Sequence, residues 1–217
     1  MPLPLTDETM ISAARELERR HGEIAGIVAT YGIPPLWQRA QGFETLVYII
    51  LEQQVSLASA RAIYRRLKDR ITSFTPETYL AFSDETLREI GLSRQKIRYT
   101  KNLAQALATD QLVLEELPGL ENEAVRHRLT AISGIGDWTA TIYLMMALRH
   151  PDVWPQGDRA LAVAVQKVNG LDTTPDQNLL TAIGEEYRPW RSVAARLYWF
   201  QYLDGGSPAP DIEVSSV

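Results

Sequence analysis

A glycine turn between two helical segments constrains the fold of this chain more than any other feature. The segment from Leu129 to Ala140 reads LTAISGIGDWTA, and its turn is Ser133-Gly134-Ile135-Gly136. Glycine allows backbone angles and close approaches that other residues block, while Ile132 and Ile135 can bury and fix the turn. The pattern predicts a helical hairpin whose turn presents backbone N–H groups.

The remaining apolar periodicity is also helical, and no stretch alternates like a half-buried strand. Helix starts are predicted at Ser56, Thr75-Pro76, Ser83 and Ser93, where a side chain can cap the first turn, and Gly91 is predicted to end a helix. We therefore expect an all-α protein of about ten helices in two helical lobes. One lobe is predicted over about 43–110. The other is predicted to combine 1–42 with about 111–203, carrying the hairpin and Asp158, and 204–217 to form a flexible tail.

Composition excludes several classes of site. The 217 residues contain no cysteine, which excludes disulfides, cysteine-ligated iron–sulfur clusters and thiol nucleophiles. Three scattered histidines disfavour a catalytic zinc site. No apolar run approaches the roughly 20 residues that cross a bilayer, and no secretory signal is recognisable. We predict a cytoplasmic protein.

A net charge of −5 argues against nucleic-acid binding, since phosphate contact needs cations. The cations nevertheless form two clusters in the sequence, and each could be a phosphate-binding surface. The alternative interpretation is that each cluster is an ordinary solvated helix face. A helix N-terminus with free N–H groups also binds phosphate without a basic side chain, although an ordinary packed helical corner would show the same hairpin sequence. The clusters are Arg61, Arg65, Arg66, Lys68 and Arg70, then Arg88, Arg94, Lys96, Arg98 and Lys101.

Asp158 follows the loop Trp154-Pro-Gln-Gly157 and precedes an apolar helical segment. The ordinary interpretation is an N-cap aspartate. Capping and catalysis are compatible, because the helix dipole favours the ionised carboxylate. Such a carboxylate can stabilise a cationic sugar or orient a water molecule. Trp138, directly after the turn, and Trp199 are either core residues or faces for a flat cationic ring such as an alkylated purine.

Four segments together resemble the helix-hairpin-helix DNA glycosylases, and among them the branch of bacterial 3-methyladenine DNA glycosylase II. They are ILEQQVS (50–56), ISGIGDWTA (132–140), the loop ending in Asp158, and RPWRS (188–192). The resemblance implies an all-α fold with a DNA- and base-binding cleft between its lobes. It also implies action on double-stranded DNA. A monomer is the default expectation, and the lack of a long apolar run predicts no membrane partner. The implied reaction is hydrolysis of the N-glycosidic bond of 3-methyladenine and 7-methylguanine in base excision repair, leaving an abasic site.

The resemblance also implies residue roles. Asp158 falls at the catalytic position, and the base pocket takes Trp138, Trp199, Ile142 and Tyr143. The DNA backbone would contact Ser133, Gly134, Ile135, Gly136 and Thr139. A monovalent cation such as Na⁺ or K⁺ could bind the carbonyls of Ile132 and Ile135, with no other cofactor expected. Because a stacked base hides its glycosidic bond, the lesion must be extruded, and Gln53, Gln54 and Val55 fall where the family fills the gap.

Two departures refine this expectation. Relatives that also cleave the strand carry a lysine at the position of Trp138, and tryptophan cannot form the Schiff base. We therefore expect no abasic-site lyase activity. Longer bacterial members carry an N-terminal β-containing domain, for which the roughly 40 residues before Phe43 are too few. The alternatives are a non-catalytic DNA-binding hairpin protein and a glycosylase for other bases, such as ethenoadenine, hypoxanthine or 1-methyladenine.

Overall fold

The computed structural model describes residues 3–206, and its regular structure is helical throughout that range. The described residues form twelve α-helices and one short 3₁₀ helix, joined by loops, and no β-strand. This confirms the predicted all-α class. The α-helices are α1 Asp7–Arg20, α2 Gly22–Tyr31, α3 Phe43–Glu52, α4 Leu57–Lys68, α5 Pro76–Leu80, α6 Asp84–Ile90, α7 Arg94–Ala108, α8 Asn122–Thr130, α9 Asp137–Met146, α10 Arg159–Val168, α11 Gln177–Glu185 and α12 Arg191–Tyr202; the 3₁₀ helix is Leu114–Gly119.

The predicted helix starts are confirmed by their capping hydrogen bonds. Ser56, Thr75, Ser83 and Ser93 each accept a hydrogen bond from the backbone N–H three residues later. Such a cap contributes about 1 kcal/mol by satisfying an N–H that the helix leaves unpaired. Gly91 ends α6 in the left-handed conformation, with φ of 113°, as its sequence position indicated.

The amphipathic periodicity of residues 7–30 predicts one helix, but these residues form two, α1 and α2. His21 adopts an extended conformation, with φ of −134° and ψ of 112°, between α1 and α2. Both helices bury an apolar face, which includes Leu17 on α1 and Ile24 on α2. The break lets each helix pack against α12, a tertiary requirement that helical periodicity alone does not reveal.

The described residues divide into two compact units, and the division differs from the predicted one. The first unit is Arg39–Tyr143, and the second consists of 3–38 and 144–206. The hairpin therefore belongs to the first unit and Asp158 to the second, which corrects the prediction that one lobe carries both. The reason is a set of contacts from 53–102 to the hairpin, described below. Of the predicted tail, 207–217 lies outside the described residues, and the predicted cleft stays a prediction.

The first unit is built around α3, every residue of which is buried. Its two carboxylates are paired, as buried charges must be. Arg39 binds Glu52 through two hydrogen bonds, Nη1 to Oε2 at 2.9 Å and Nη2 to Oε1 at 2.7 Å. Lys68 Nζ lies 2.6 Å from Glu44 Oε1. These pairs fix α3 at both ends, and therefore fix the start of the loop at Gln53.

The second unit packs α10 against α12, whose residues from Ser192 to Gln201 are all buried. Within α12, the fully buried Arg196 donates to the carbonyl oxygens of Ser192 at 3.1 Å, Met145 at 2.7 Å and Trp37 at 3.4 Å. Burial lowers the pKa of Arg196 to about 10, so the guanidinium stays protonated at neutral pH. These bonds hold the helix that carries Trp199. No helix in 3–206 combines the length and apolarity needed to cross a membrane.

Candidate active site and nucleic-acid interface

The hairpin turn forms as its sequence predicts. Ile135 N–H donates to the Ile132 carbonyl at 3.0 Å, and both isoleucine side chains are buried. Gly134 has φ of 106°, a conformation that residues with a side chain rarely adopt. The first bond of α9 runs from Ala140 N–H to the Gly136 carbonyl at 3.0 Å. A tight turn thus leads directly into a helix N-terminus.

Side chains from elsewhere in the first unit hold the turn carbonyls. Asn102 Nδ2 donates to the Ser133 carbonyl at 3.3 Å, and Gln53 Nε2 donates to the Gly134 carbonyl at 3.0 Å. In a trans peptide the C=O and the following N–H point in opposite directions, so the bond from Asn102 directs the Gly134 N–H away from α7. Within the described part of the chain, the N–H groups of Gly134 and Gly136 donate to no protein atom. They are the free donors that an anion needs.

The two turn glycines have different roles. A methyl group at Gly134 would overlap the ring of Tyr99, which packs against the turn from α7. Gly136 has no positive φ, and nothing lies within 4 Å of an added Cβ. Gly134 is therefore required for the turn to fold, whereas Gly136 is not required for folding and keeps the surface of the turn accessible to a ligand. Sequence reasoning missed Tyr99 and Asn102, because nothing local in α7 pairs them with the hairpin.

The Thr139 side chain is held inside the first unit, and its expected contact to the DNA backbone stays a prediction. The residue is 1% exposed, and its Oγ1 accepts a hydrogen bond from Gln53 Nε2 at 2.9 Å. Because the side chain is buried and hydrogen-bonded, the group of Thr139 that can bind an anion is its backbone N–H in the first turn of α9.

The three residues expected to fill the gap differ in exposure. Gln53 is half-buried and held by the two hydrogen bonds to the hairpin just described. Gln54 is exposed and has φ of 56°, and Val55 is 42% exposed. The structure therefore separates Gln53 from the other two.

Several side chains of the two basic clusters already bind other groups of the first unit. Lys68 pairs with Glu44, Lys101 pairs with Asp84, and the Lys96 Nζ donates to the Leu51 carbonyl at 2.5 Å. Burial lowers the pKa of Lys96, opposed by the charge of Glu52. Arg66 Nε likewise donates to the Ile90 carbonyl at 2.5 Å. The other exposed arginines of the two clusters, which can attract a polyanion, are Arg65, Arg70, Arg88, Arg94 and Arg98.

Asp158 caps α10, as predicted, and it also has a second donor. Its Oδ1 accepts from the Leu161 N–H at 2.8 Å and from the Trp199 indole Nε1–H at 3.1 Å. The residue is half-buried at the start of an apolar helix. Two N–H groups on one oxygen fix the carboxylate orientation, and the helix dipole favours its negative charge.

The aromatic and apolar residues expected in a base pocket lie in different environments. Trp199 is 7% exposed in the second unit, and Trp138 is half-buried as the second residue of α9. Ile142 and Tyr143 are buried in the first unit. The Tyr143 hydroxyl accepts from the Gly42 N–H at 3.0 Å, and burial raises its pKa to about 12. The ring of Tyr143 is thus part of the core of the first unit, and its expected place in a base pocket stays a prediction.

These features define a class. The chain belongs to the HhH-GPD superfamily of base excision DNA repair proteins, whose sequence profile matches residues 47–189. This confirms the resemblance inferred from the hairpin and the residues around it.

Individual relatives sharpen the comparison. DNA-3-methyladenine glycosylase 1 of Schizosaccharomyces pombe is 28% identical over 187 residues, covering 84% of this chain and 82% of its own length. The Bacillus subtilis protein YfjP is 29% identical over 165 residues, covering 72% of this chain; the chain spans 58% of the length of YfjP. The solved structure of S. pombe 3-methyladenine DNA glycosylase Mag1 with abasic DNA superposes with a TM-score of 0.82. It has 26% identity and covers 92% of this chain and all of that one.

Proposed function

We propose that this protein is a DNA glycosylase that removes alkylated bases of the 3-methyladenine and 7-methylguanine type from double-stranded DNA. The observation that carries the proposal is the Asp158 carboxylate, half-buried at a helix N-terminus with one oxygen held by two N–H donors. The names of the relatives support the same chemistry. The product is an abasic site, the starting point of base excision repair, and we propose that the protein acts as a monomer.

DNA binding would depend on the hairpin. The free N–H groups of Gly134 and Gly136 can donate to a phosphate oxygen. The exposed arginines attract the DNA electrostatically, and this attraction weakens as the salt concentration rises. This division explains how a chain with net charge −5 can bind a polyanion: the decisive donors are backbone amides and carry no formal charge.

The reaction requires little acid catalysis. Alkylation at N3 or N7 makes the base cationic, so the glycosidic electron pair can leave with the base, which becomes neutral. Asp158 stabilises the positive charge that develops on the sugar and helps to place the attacking water. The water oxygen then bonds to C1′ and loses a proton.

A monovalent cation at the carbonyls of Ile132 and Ile135 is part of the same proposal. Hard cations take oxygen ligands, and the ligands here would be backbone carbonyl oxygens. The Ile132 oxygen accepts one hydrogen bond, from Ile135 N–H, and a carbonyl has two lone pairs. The residues therefore fit, and a bound cation would add positive charge beside the phosphate.

Base release from methylated duplex DNA tests the proposed function. We expect free 3-methyladenine and 7-methylguanine, identified by chromatography and mass, with an abasic site left in the strand. Duplexes with ethenoadenine, hypoxanthine or 1-methyladenine, assayed in parallel, test the alternative lesions. Salt-dependent DNA binding without release of any base would instead support the non-catalytic hairpin protein.

We further propose that the enzyme does not cleave the strand. The first turn of α9 carries Trp138 where strand-cleaving relatives carry lysine, and an indole forms no Schiff base. Incubation with damaged DNA and borohydride is expected to give no covalent complex, and the strand should break only after alkali. A trapped protein–DNA adduct would reject this part of the proposal.

Trp199→Phe is expected to lower the excision rate by about 10- to 100-fold. It keeps an aromatic ring in α12 but removes the N–H that binds Asp158, and a hydrogen bond to a charged group contributes about 1.5–3 kcal/mol. Single-turnover base release measures the effect. Trp190→Phe is the control, because its indole N–H binds Glu16 instead. An unfolded Trp199→Phe protein would favour a purely structural role for this residue.

A further inference from the structure

Gln53 connects two segments that are far apart in the sequence. Its amide nitrogen has two hydrogens, and each finds an acceptor on the hairpin: the Gly134 carbonyl at 3.0 Å and Thr139 Oγ1 at 2.9 Å. One acceptor lies in the turn and the other in the first turn of α9. A single side chain thus bridges the loop after α3 to both parts of the hairpin.

Helix α7 holds the same two segments from one face. Lys96 binds the Leu51 carbonyl at the end of α3, while Asn102 binds the Ser133 carbonyl and Tyr99 packs against Gly134. Spacings of three residues place Lys96, Tyr99 and Asn102 on neighbouring positions of the helix surface. The end of α3 and the hairpin turn therefore share one support, and Gln53 closes the link between them.

The residues that follow Gln53 point to solvent. We name 54–57 the exposed turn. Gln54 has a left-handed backbone and an exposed side chain, and Val55 and Leu57 are 42% and 36% exposed. Gln54 therefore stands in a segment whose side chains are open to solvent.

We propose that Gln53 is a positioning residue that ties the exposed turn to the hairpin, so that both meet DNA as one rigid element, and that Gln54 fills the gap left by an extruded base. This inference rests on the proposed function. To enter the DNA, Gln53 would have to leave the Gly134 carbonyl and the buried Thr139 hydroxyl without their donor, which is costly for buried acceptors. Gln54 gives up no such bond.

Paired substitutions distinguish the two roles, because the positioning role of Gln53 needs its hydrogen bonds whereas the gap-filling role of Gln54 needs side-chain volume. Binding is measured to a duplex with a tetrahydrofuran abasic analogue, and 2-aminopurine opposite the analogue reports stacking by fluorescence. Gln53→Met and Gln53→Ala should both weaken binding by about tenfold. Gln54→Ala should weaken binding more than Gln54→Met. Wild-type binding by Gln53→Met, with loss only in Gln53→Ala, would overturn the proposal.

Thr139 supplies a second test that does not depend on Gln53 variants folding. Thr139→Val removes one of the two acceptors of Gln53 and should weaken binding less than Gln53→Met does. Thr139→Ser keeps an oxygen and should bind more tightly than Thr139→Val. Combining Gln53→Met with Thr139→Val should cost little more than Gln53→Met alone, since Gln53→Met already removes the bond to Thr139. Fully additive losses, or equal binding by the serine and valine variants, would contradict the tie.

The outcome can be separated from that of the proposed function. The tetrahydrofuran duplex has no base to release, so these affinities do not depend on turnover. If wild-type protein releases no methylated base but the Gln53 and Thr139 variants weaken binding as expected, the proposed function fails and the tie stands. If base release is normal and Gln53→Met binds like wild type, the tie fails and the function stands. Thermal unfolding of each variant shows whether a loss of affinity reflects a loss of fold, which would also overturn the positioning role.

Discussion

Asp158→Asn is expected to slow base excision by at least about a thousandfold while folding and DNA binding persist, which corresponds to about 4 kcal/mol of transition-state stabilisation. Asparagine keeps an oxygen that can accept from the Leu161 and Trp199 N–H groups, and it caps helices about as well as aspartate. The substitution therefore removes the negative charge and leaves the geometry. Single-turnover base release, duplex binding and thermal unfolding measure the three quantities.

The chain offers a matched control in the same unit. Asp176 caps α11, and its Oδ1 accepts from the Leu179 N–H at 2.8 Å, the same distance as the cap of α10. Asp176→Asn should change neither stability nor excision. If Asp158→Asn excises bases at close to the wild-type rate, Asp158 is only a cap and the proposed mechanism is wrong.

Gly134→Ala is expected to damage both folding and DNA binding. The added methyl group overlaps the Tyr99 ring, and φ of 106° is strained for any residue with a Cβ. The strain alone costs about 1–2 kcal/mol, and the overlap adds to it. Displacement of the turn also moves the free N–H groups of the hairpin, so affinity for a duplex should fall by about tenfold or more. Thermal unfolding and salt titrations of binding measure the two effects.

Gly136→Ala separates the two effects. Nothing lies within 4 Å of the new Cβ, so the unfolding temperature should stay at the wild-type value. The methyl group nevertheless stands on the surface of the hairpin turn, beside a free N–H, where a phosphate has to approach. Affinity should therefore fall without loss of stability. Wild-type affinity in Gly136→Ala would show that phosphate does not bind at this turn.

Features that depend on a few neighbouring residues could be predicted from the sequence. The caps at Ser56 and Ser93 depend on a side chain and an N–H three residues away, and the hairpin depends on glycines and isoleucines within one turn. The capping role of Asp158 was visible for the same reason. In each case the bond that stabilises the structure is local, so the sequence around it is sufficient.

Features that depend on distant contacts could not be predicted. Gln53 and Gly134 lie 81 residues apart, and the sequence does not show that they are bonded. The boundary between the two units differs from the predicted one for this reason. The bond from the Gly42 N–H to the Tyr143 hydroxyl, which spans 101 residues, is likewise not visible in the sequence. The break at His21 has a similar origin, since it follows from what α1 and α2 pack against.

The hydrogen bond from Trp199 to Asp158 also makes the carboxylate observable. Indole N–H protons resonate apart from the backbone amides, and the chain has five tryptophans, so Trp199→Phe would assign the signal by its disappearance. A proton donated to an anion is deshielded, and its frequency follows the charge of the acceptor at 3.1 Å. The resonance of this single proton would therefore report on the surroundings of the Asp158 carboxylate in the free protein and on abasic DNA, with no label added to the site.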